Sequence, residues 1–186
     1  TAAKPKPMKV FQGHRLGAIE DFAIEERASV PPGPGQIRVH VEATALGFVD
    51  ALVMRGLYQV QPPLPFIPGG EIVGRIEAVG DGVEGFTEGQ RIASWQFGGG
   101  LAEQAIVSAE SSVAVPDALD AAGASALILD FLTAYYGLFD RGHYEAGQSL
   151  LAKVGQEIVE LNNRGVLAAR SGDLEGSVQM LIEAAE

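Results

Sequence analysis

The 186 residues include no cysteine. That absence excludes a disulfide framework, a cysteine-held zinc site and a cysteine nucleophile. Histidine is scarce too: His14, His40 and His143 lie far apart and share no metal-ligand spacing. Basic residues are few, 13 Lys and Arg against 24 Asp and Glu, for a formal net charge of −11. Such a balance argues against nucleic acid or an anionic membrane surface as a partner. No apolar run reads as approaching the roughly 18 to 20 residues of a membrane span. The start, TAAKPKPMKV, lacks the apolar centre of a secretory signal. The expectation is a soluble cytoplasmic protein with a trimmed or engineered start at Thr1 and a loose tail over 1–7.

What is present is a chain with 24 glycines and 10 prolines that is 47% hydrophobic, enough to bury a core. Residues 65–92, PFIPGGEIVGRIEAVGDGVEGFTEGQRI, organise the rest. Residues 71–79 alternate apolar or small with polar side chains, the period of a half-buried strand. Gly80, Gly82 and Gly85 spell G-x-G-x-x-G, but residues 86–90 leave no room for a helix before the strand-like 91–95. A dinucleotide fingerprint needs a helix N-terminus to receive the pyrophosphate, so these glycines read as turns. Further strands are expected over 8–14, 21–26, 36–45, 101–108 and 112–115, with a short helix over 49–55 ended at Gly56. Residues 31–35, PPGPG, form a rigid turn. In the 36–45 strand His40 takes the polar phase, which reads as a surface imidazole. Many short strands broken by glycine and proline imply a small irregular β-barrel.

Pro68, Gly69, Glu71, Gly74, Ile76, Val79 and Gly80 meet the P-G-x-E-x-x-G-x-V-x-x-V-G signature. The chain therefore resembles the medium-chain dehydrogenase/reductase superfamily over about residues 8–151. The resemblance implies an α+β chain: a GroES-like irregular β-barrel followed by C-terminal helices. The zinc-dependent members hold their catalytic metal with Cys and His, where this sequence has Gly47 and Gly70. A metal site is not expected. The stretch Gly47-Phe48-Val49-Asp50…Arg55-Gly56-Leu57-Tyr58 is similar to the N-F-x-D…R-x-G-x-Y segment of zinc-free, NADPH-dependent quinone oxidoreductases and their enone-reducing relatives.

By that resemblance the chemistry is hydride transfer from NADPH to a quinone or an α,β-unsaturated carbonyl. Tyr58 would donate its hydroxyl near the substrate carbonyl, and Asp50 would order the loop or cap the helix. Gly47 and Phe48 would lie beside the nicotinamide, Phe48 as a wall, and Thr133 would hydrogen-bond its amide. Gly47 departs from the family Asn and removes a donor beside the ring. Glu71 reads as a residue that fixes the barrel through hydrogen bonds rather than as a base. Thr133 could equally bond the preceding helical turn.

Beyond Pro116 the composition turns helical, with Asp117 or Asp120 as candidate caps. The expected organisation is a tail over 1–7, a GroES-like catalytic domain over 8–118, bridging helices over 119–150 and a helical hairpin over 151–186. In the hairpin Leu161, Gly165, Gly172, Asp173, Leu174, Leu181 and Ala184 resemble one tetratricopeptide unit. Relatives would instead enter a Rossmann strand near residue 151, so the nucleotide domain is expected to be absent from these residues. A chimera, a truncation joined to another segment or a frame change would each produce that junction. NADPH binding and turnover by these residues alone are then expected to be weak or absent. The rival expectation is a non-enzymatic scaffold whose C-terminal helices, deprived of a sheet to pack on, make a homo-oligomer.

Overall fold

The computed structural model describes residues 7–141. Residues 1–6, His143 and the hairpin expected over 151–186 lie outside the described residues. Strands β1 (Pro7–Gly13) and β2 (Phe22–Ala28) form an antiparallel hairpin. A five-stranded antiparallel sheet follows, built from β3 (Gln36–Ala45), β4 (Glu71–Val79), β5 (Arg91–Trp95), β6 (Gln104–Ser108) and β7 (Ser112–Ala114) in the order β6-β3-β4-β5-β7. Helix α1 (Phe48–Met54) links β3 to β4, and α2 (Ala121–Leu127) and α3 (Leu129–Tyr135) follow the sheet.

The expected barrel is not what forms. Both sheets are open. β6 and β7 end the larger sheet, and β7 is only three residues long. As strand pairing, the hairpin has only two isolated bridges to the rest of the described chain, Val10 with Ala102 and Gly13 with Phe66, instead of a continuous ladder, while Phe22 packs on Val53, Met54 and Phe66. Closing a sheet requires a strand partner along the whole free edge, and two single bridges do not supply one.

The period-two pattern explains why β4 sits at the centre. Ile72 and Ile76 point to one face, where they meet Ile37, Val39, Ile92 and Val107 in the main core. Burying such a side chain is worth about 1.5–3 kcal/mol. Val73 points the other way, with Ala93 beside it in register. This second face is covered by α2: Ala124 packs on Val73 and Ala93, and Ala122 packs on Ala45. The expectation that the C-terminal helices lack a sheet is therefore corrected for α2. For α3 the apolar exposure is real, because Leu132, Tyr135 and Tyr136 are all exposed.

Two polar devices fix α2 in place. Asp120 caps it, its Oδ1 accepting the Gly123 N–H at 2.7 Å. Arg91 donates to Glu42 at 2.6 Å and to the Leu119 carbonyl at 3.2 Å, tying the sheet to the turn before the helix. Partial burial pulls the Glu42 carboxyl up, but the Arg91 and Arg75 guanidiniums together hold it below the usual range.

The G-x-G-x-x-G run is a turn, as its context requires. Gly82 and Gly85 have φ of +75° and +79°, and the chain passes into β5 with no helix between. His40 lies on the surface near Glu77. The helical stretch Ala121–Arg141, 21 residues, is long and apolar enough to cross a membrane by length and composition, which the sequence reading had not allowed for. Of its apolar window 22% is buried, at Ala122, Ala124, Ser125 and Ala126.

Candidate active site

Four of the five candidate site residues meet in one cleft of about 510 Å³, lined by Gly47, Phe48, Asp50 and Tyr58. The fifth, Thr133, is exposed on α3 and is not among the lining residues. Two changes in chain direction build this cleft. Gly47, in extended conformation with φ −100°, starts α1 at the end of β3. Gly69, with φ +86°, turns the incoming loop into β4.

Asp50 joins these two turns. Its Oδ2 accepts the Gly47 N–H at 2.9 Å and its Oδ1 accepts the Gly69 N–H at 2.8 Å. Burial pushes the carboxyl up from its ordinary value, against these backbone hydrogen bonds. With both oxygens engaged, Asp50 holds the lip of the cleft in shape.

The walls are aromatic. Tyr58 stacks on Phe97 with ring centroids 5.9 Å apart, and Phe97 in turn meets Phe66 at 6.1 Å. Phe48 and Trp95, both partly exposed, line the opening. No residue among those described hydrogen-bonds the Tyr58 hydroxyl. That phenol is available to a ligand as donor or acceptor.

Glu71 is the residue that sequence reasoning undervalued. It begins β4 directly opposite Trp95 in the ladder, on the face that α2 and α3 cover. It is 4% exposed, and its Oε2 accepts the Leu129 N–H at 3.1 Å, where α3 begins. Burial, opposed by that hydrogen bond and reinforced by the charges of Asp130 and Asp50, pushes its carboxyl up to about 7. The role foreseen for it, a hydrogen-bonding anchor, is present, but its partner is a helix and its side chain lines the cleft. The only signal in the sequence was its place in the signature.

No cluster of three potential metal ligands exists among the described residues. Gly70, where zinc enzymes of the superfamily carry His, is packed against the chain: a Cβ there would stand 2.3 Å from the Gln96 carbonyl oxygen. A side chain at that position needs the strand to move. Gly47 differs, since a Cβ there would meet nothing nearer than 3.9 Å.

A nicotinamide ring fits the cleft better than the rest of a dinucleotide does. The ring is uncharged in its reduced form and flat, matching the aromatic walls. No Lys, Arg or His among the described residues lines the cleft to hold a diphosphate.

Comparison with known proteins agrees with the resemblance seen in the sequence. The alcohol dehydrogenase GroES-like domain family matches residues 33–117. The synaptic vesicle membrane protein VAT-1 homolog of Rattus norvegicus is 35% identical over 147 residues, 78% of this chain and 36% of its own length. The quinone oxidoreductase-like protein 2 homolog of Nematostella vectensis is 33% identical over 175 residues, 93% of this chain and 45% of its own. That alignment runs past residue 151. Escherichia coli quinone oxidoreductase complexed with NADPH superposes with a TM-score of 0.65 at 29% identity, over 74% of this chain and 41% of that one. The chain thus spans less than half the length of the relatives it matches. The signature around Glu71 and these matches together place the chain in the medium-chain dehydrogenase/reductase superfamily, among its quinone oxidoreductase-like members.

Proposed function

We propose that the cleft is the substrate-side half of a site that reduces a quinone or an α,β-unsaturated carbonyl with NADPH, without a metal. The observation that carries this reading is the convergence of Gly47, Phe48, Asp50 and Tyr58 on one aromatic-walled cleft with no cation among its described lining residues. When bound, the nicotinamide supplies a hydride; the chain's own residues position the acceptor and stabilise charge on its oxygen. Phe48 and Phe97 sandwich a flat ring, Tyr58 offers its hydroxyl to the carbonyl, and Asp50 keeps the lip rigid. The NADPH-bound state of the Escherichia coli neighbour supports the choice of cofactor. For the 186 residues alone we expect turnover below about 1 per second, since the described cleft holds no group for a diphosphate.

The test is an NADPH titration that follows nicotinamide fluorescence and quenching of Trp95, the chain's single tryptophan. Saturable binding below about 100 μM, about −5.5 kcal/mol, supports a cofactor site and leads to assays with quinones. Ordinary turnover from the isolated chain would overturn the expectation of weak activity.

A second reading, self-association without catalysis, is favoured by one observation: Leu132 on α3 is 61% exposed, with Tyr135 and Tyr136 beside it. Light scattering decides it. A strict monomer at micromolar concentration removes this reading.

A further inference from the structure

The acids around the cleft do different things. Asp50 spends both oxygens on backbone N–H groups. Glu71 spends only Oε2, on Leu129, and no hydrogen bond reaches Oε1 from any described residue. That oxygen lies 4.0 Å from the place a Cβ would take at Gly47, another residue of the lining. Glu71 as a whole is 4% exposed, yet Oε1 is not among the fully buried side-chain atoms left without a partner, so this oxygen keeps contact with the open cleft, where a ligand or water can meet it.

The groups that face Glu71 decide which form it takes. From α1 comes Asp50 and from α3 Asp130, both acids whose charge disfavours a third. From β5 and the following loop come Trp95, Gln96 and Phe97, which carry no charge. No cation is among the described lining residues, and Asp130 has a further interaction of its own. A carboxyl so placed becomes a hydrogen-bond donor when protonated, the reverse of its role when ionised.

We propose that protonated Glu71 donates a hydrogen bond from Oε1 to the carbonyl oxygen of a neutral, flat ligand, and so determines which compounds the cleft accepts. This rests on the reading of the cleft as a substrate site. Neutral quinones and enones bring an acceptor that Oε1 satisfies. Carboxylates and phosphates bring an anion into a pocket whose charged groups, among the described lining residues, are all acids, and are repelled. Together with the Tyr58 hydroxyl, Glu71 gives the cleft two donors on separate elements, α1's following loop and β4.

Binding should then follow the protonation of Glu71. The experiment is quenching of Trp95, the cross-strand neighbour of Glu71, by 1,4-naphthoquinone at pH 6 to 8, with naphthalene and 1,4-naphthoquinone-2-sulfonate as comparisons. Because only the protonated fraction is competent, the apparent Kd of the quinone is expected to weaken about tenfold from pH 6 to pH 8. Naphthalene should show no such slope, and the sulfonate should bind weakly throughout. Glu71→Gln keeps an acceptor for the Leu129 N–H and a donor at every pH, so its quinone affinity should be high and flat. A flat profile in the unaltered chain, or the same slope in Glu71→Gln, overturns the role of Glu71 while leaving the substrate-site reading in place. Failure of the quinone to bind either protein at any pH overturns the substrate-site reading and this role with it.

Discussion

Asp50 Oδ1 accepts the Gly69 N–H at 2.8 Å across 19 residues of sequence, joining the start of α1 to the turn that enters β4. The bond explains how a short helix and a loop hold one edge of the cleft. Replacing Asp50 by Ala leaves the Gly47 and Gly69 N–H groups without their acceptor in a buried place. Each such orphan costs about 1–3 kcal/mol, so Asp50→Ala is expected to lose about 3 kcal/mol in urea unfolding. A loss under about 1 kcal/mol would show that water replaces the carboxylate freely.

Gly70 and Gly47 make opposite predictions although both stand where zinc enzymes of the superfamily place ligands. A Cβ at Gly70 runs into the Gln96 carbonyl, whereas one at Gly47 makes only ordinary contacts, with Asp50 Oδ2 at 3.9 Å and Glu71 Oε1 at 4.0 Å. Gly70→Ala should destabilise by about 3 kcal/mol, at the upper end of overpacking costs. Gly47→Asn, which restores the family residue, should stay within about 0.5 kcal/mol of the parent. Thermal melts of the two variants side by side check both. Equal melting temperatures would mean that the backbone at Gly70 yields.

Much of this arrangement is legible in the sequence. The strands expected over 36–45, 71–79 and 91–95 form with those bounds, because their alternation matches a sheet buried on one face or both. Gly82 and Gly85 turn the chain as expected, since a fingerprint without a helix has no phosphate site to offer. The open sheet was not legible. Closure depends on whether the β1–β2 hairpin finds a full ladder on a distant edge, and local periodicity carries no information on that pairing. Glu71 was undervalued for a similar reason. On the strand it takes a polar phase, and only the arrival of Leu129 and Asp130 from 58 and 59 residues away turns that phase into an interior. Thr133 shares a helix face with Leu129 but sits one turn further along α3, beyond the lining that Leu129 and Asp130 complete, and is exposed.

Tyr58 separates packing from ligand recognition. Its ring stacks on Phe97 while its hydroxyl has no partner among the described residues. Tyr58→Phe keeps the ring and should change stability by less than about 0.5 kcal/mol. Quinone affinity should fall about fivefold, the worth of about 1 kcal/mol for one hydrogen bond. If affinity is unchanged, the hydroxyl faces solvent when the ligand is bound. If stability falls instead, the hydroxyl has a structural partner.

The pH dependence of folding tests Glu71 without any ligand. Its folded carboxyl titrates at about 7 against an ordinary value of 4.5, so the native state holds a proton that the unfolded chain has already released. Where the native state binds more protons, stability falls as pH rises. The stability is complete below about pH 4.5, declines through the interval up to about 7 and is level again above it. The span corresponds to about 3 kcal/mol at most, with Asp50 adding in the same direction through its own raised value. Urea midpoints at pH 5 and pH 8 should therefore differ, with the chain less stable at pH 8. Glu71→Gln cannot ionise and should lose most of that difference. Asp130→Asn, which removes one of the repelling charges, should move the decline to lower pH. Equal midpoints at pH 5 and pH 8 in the parent would mean that Glu71 is ionised in the folded chain, with its charge met by solvent that reaches the cleft.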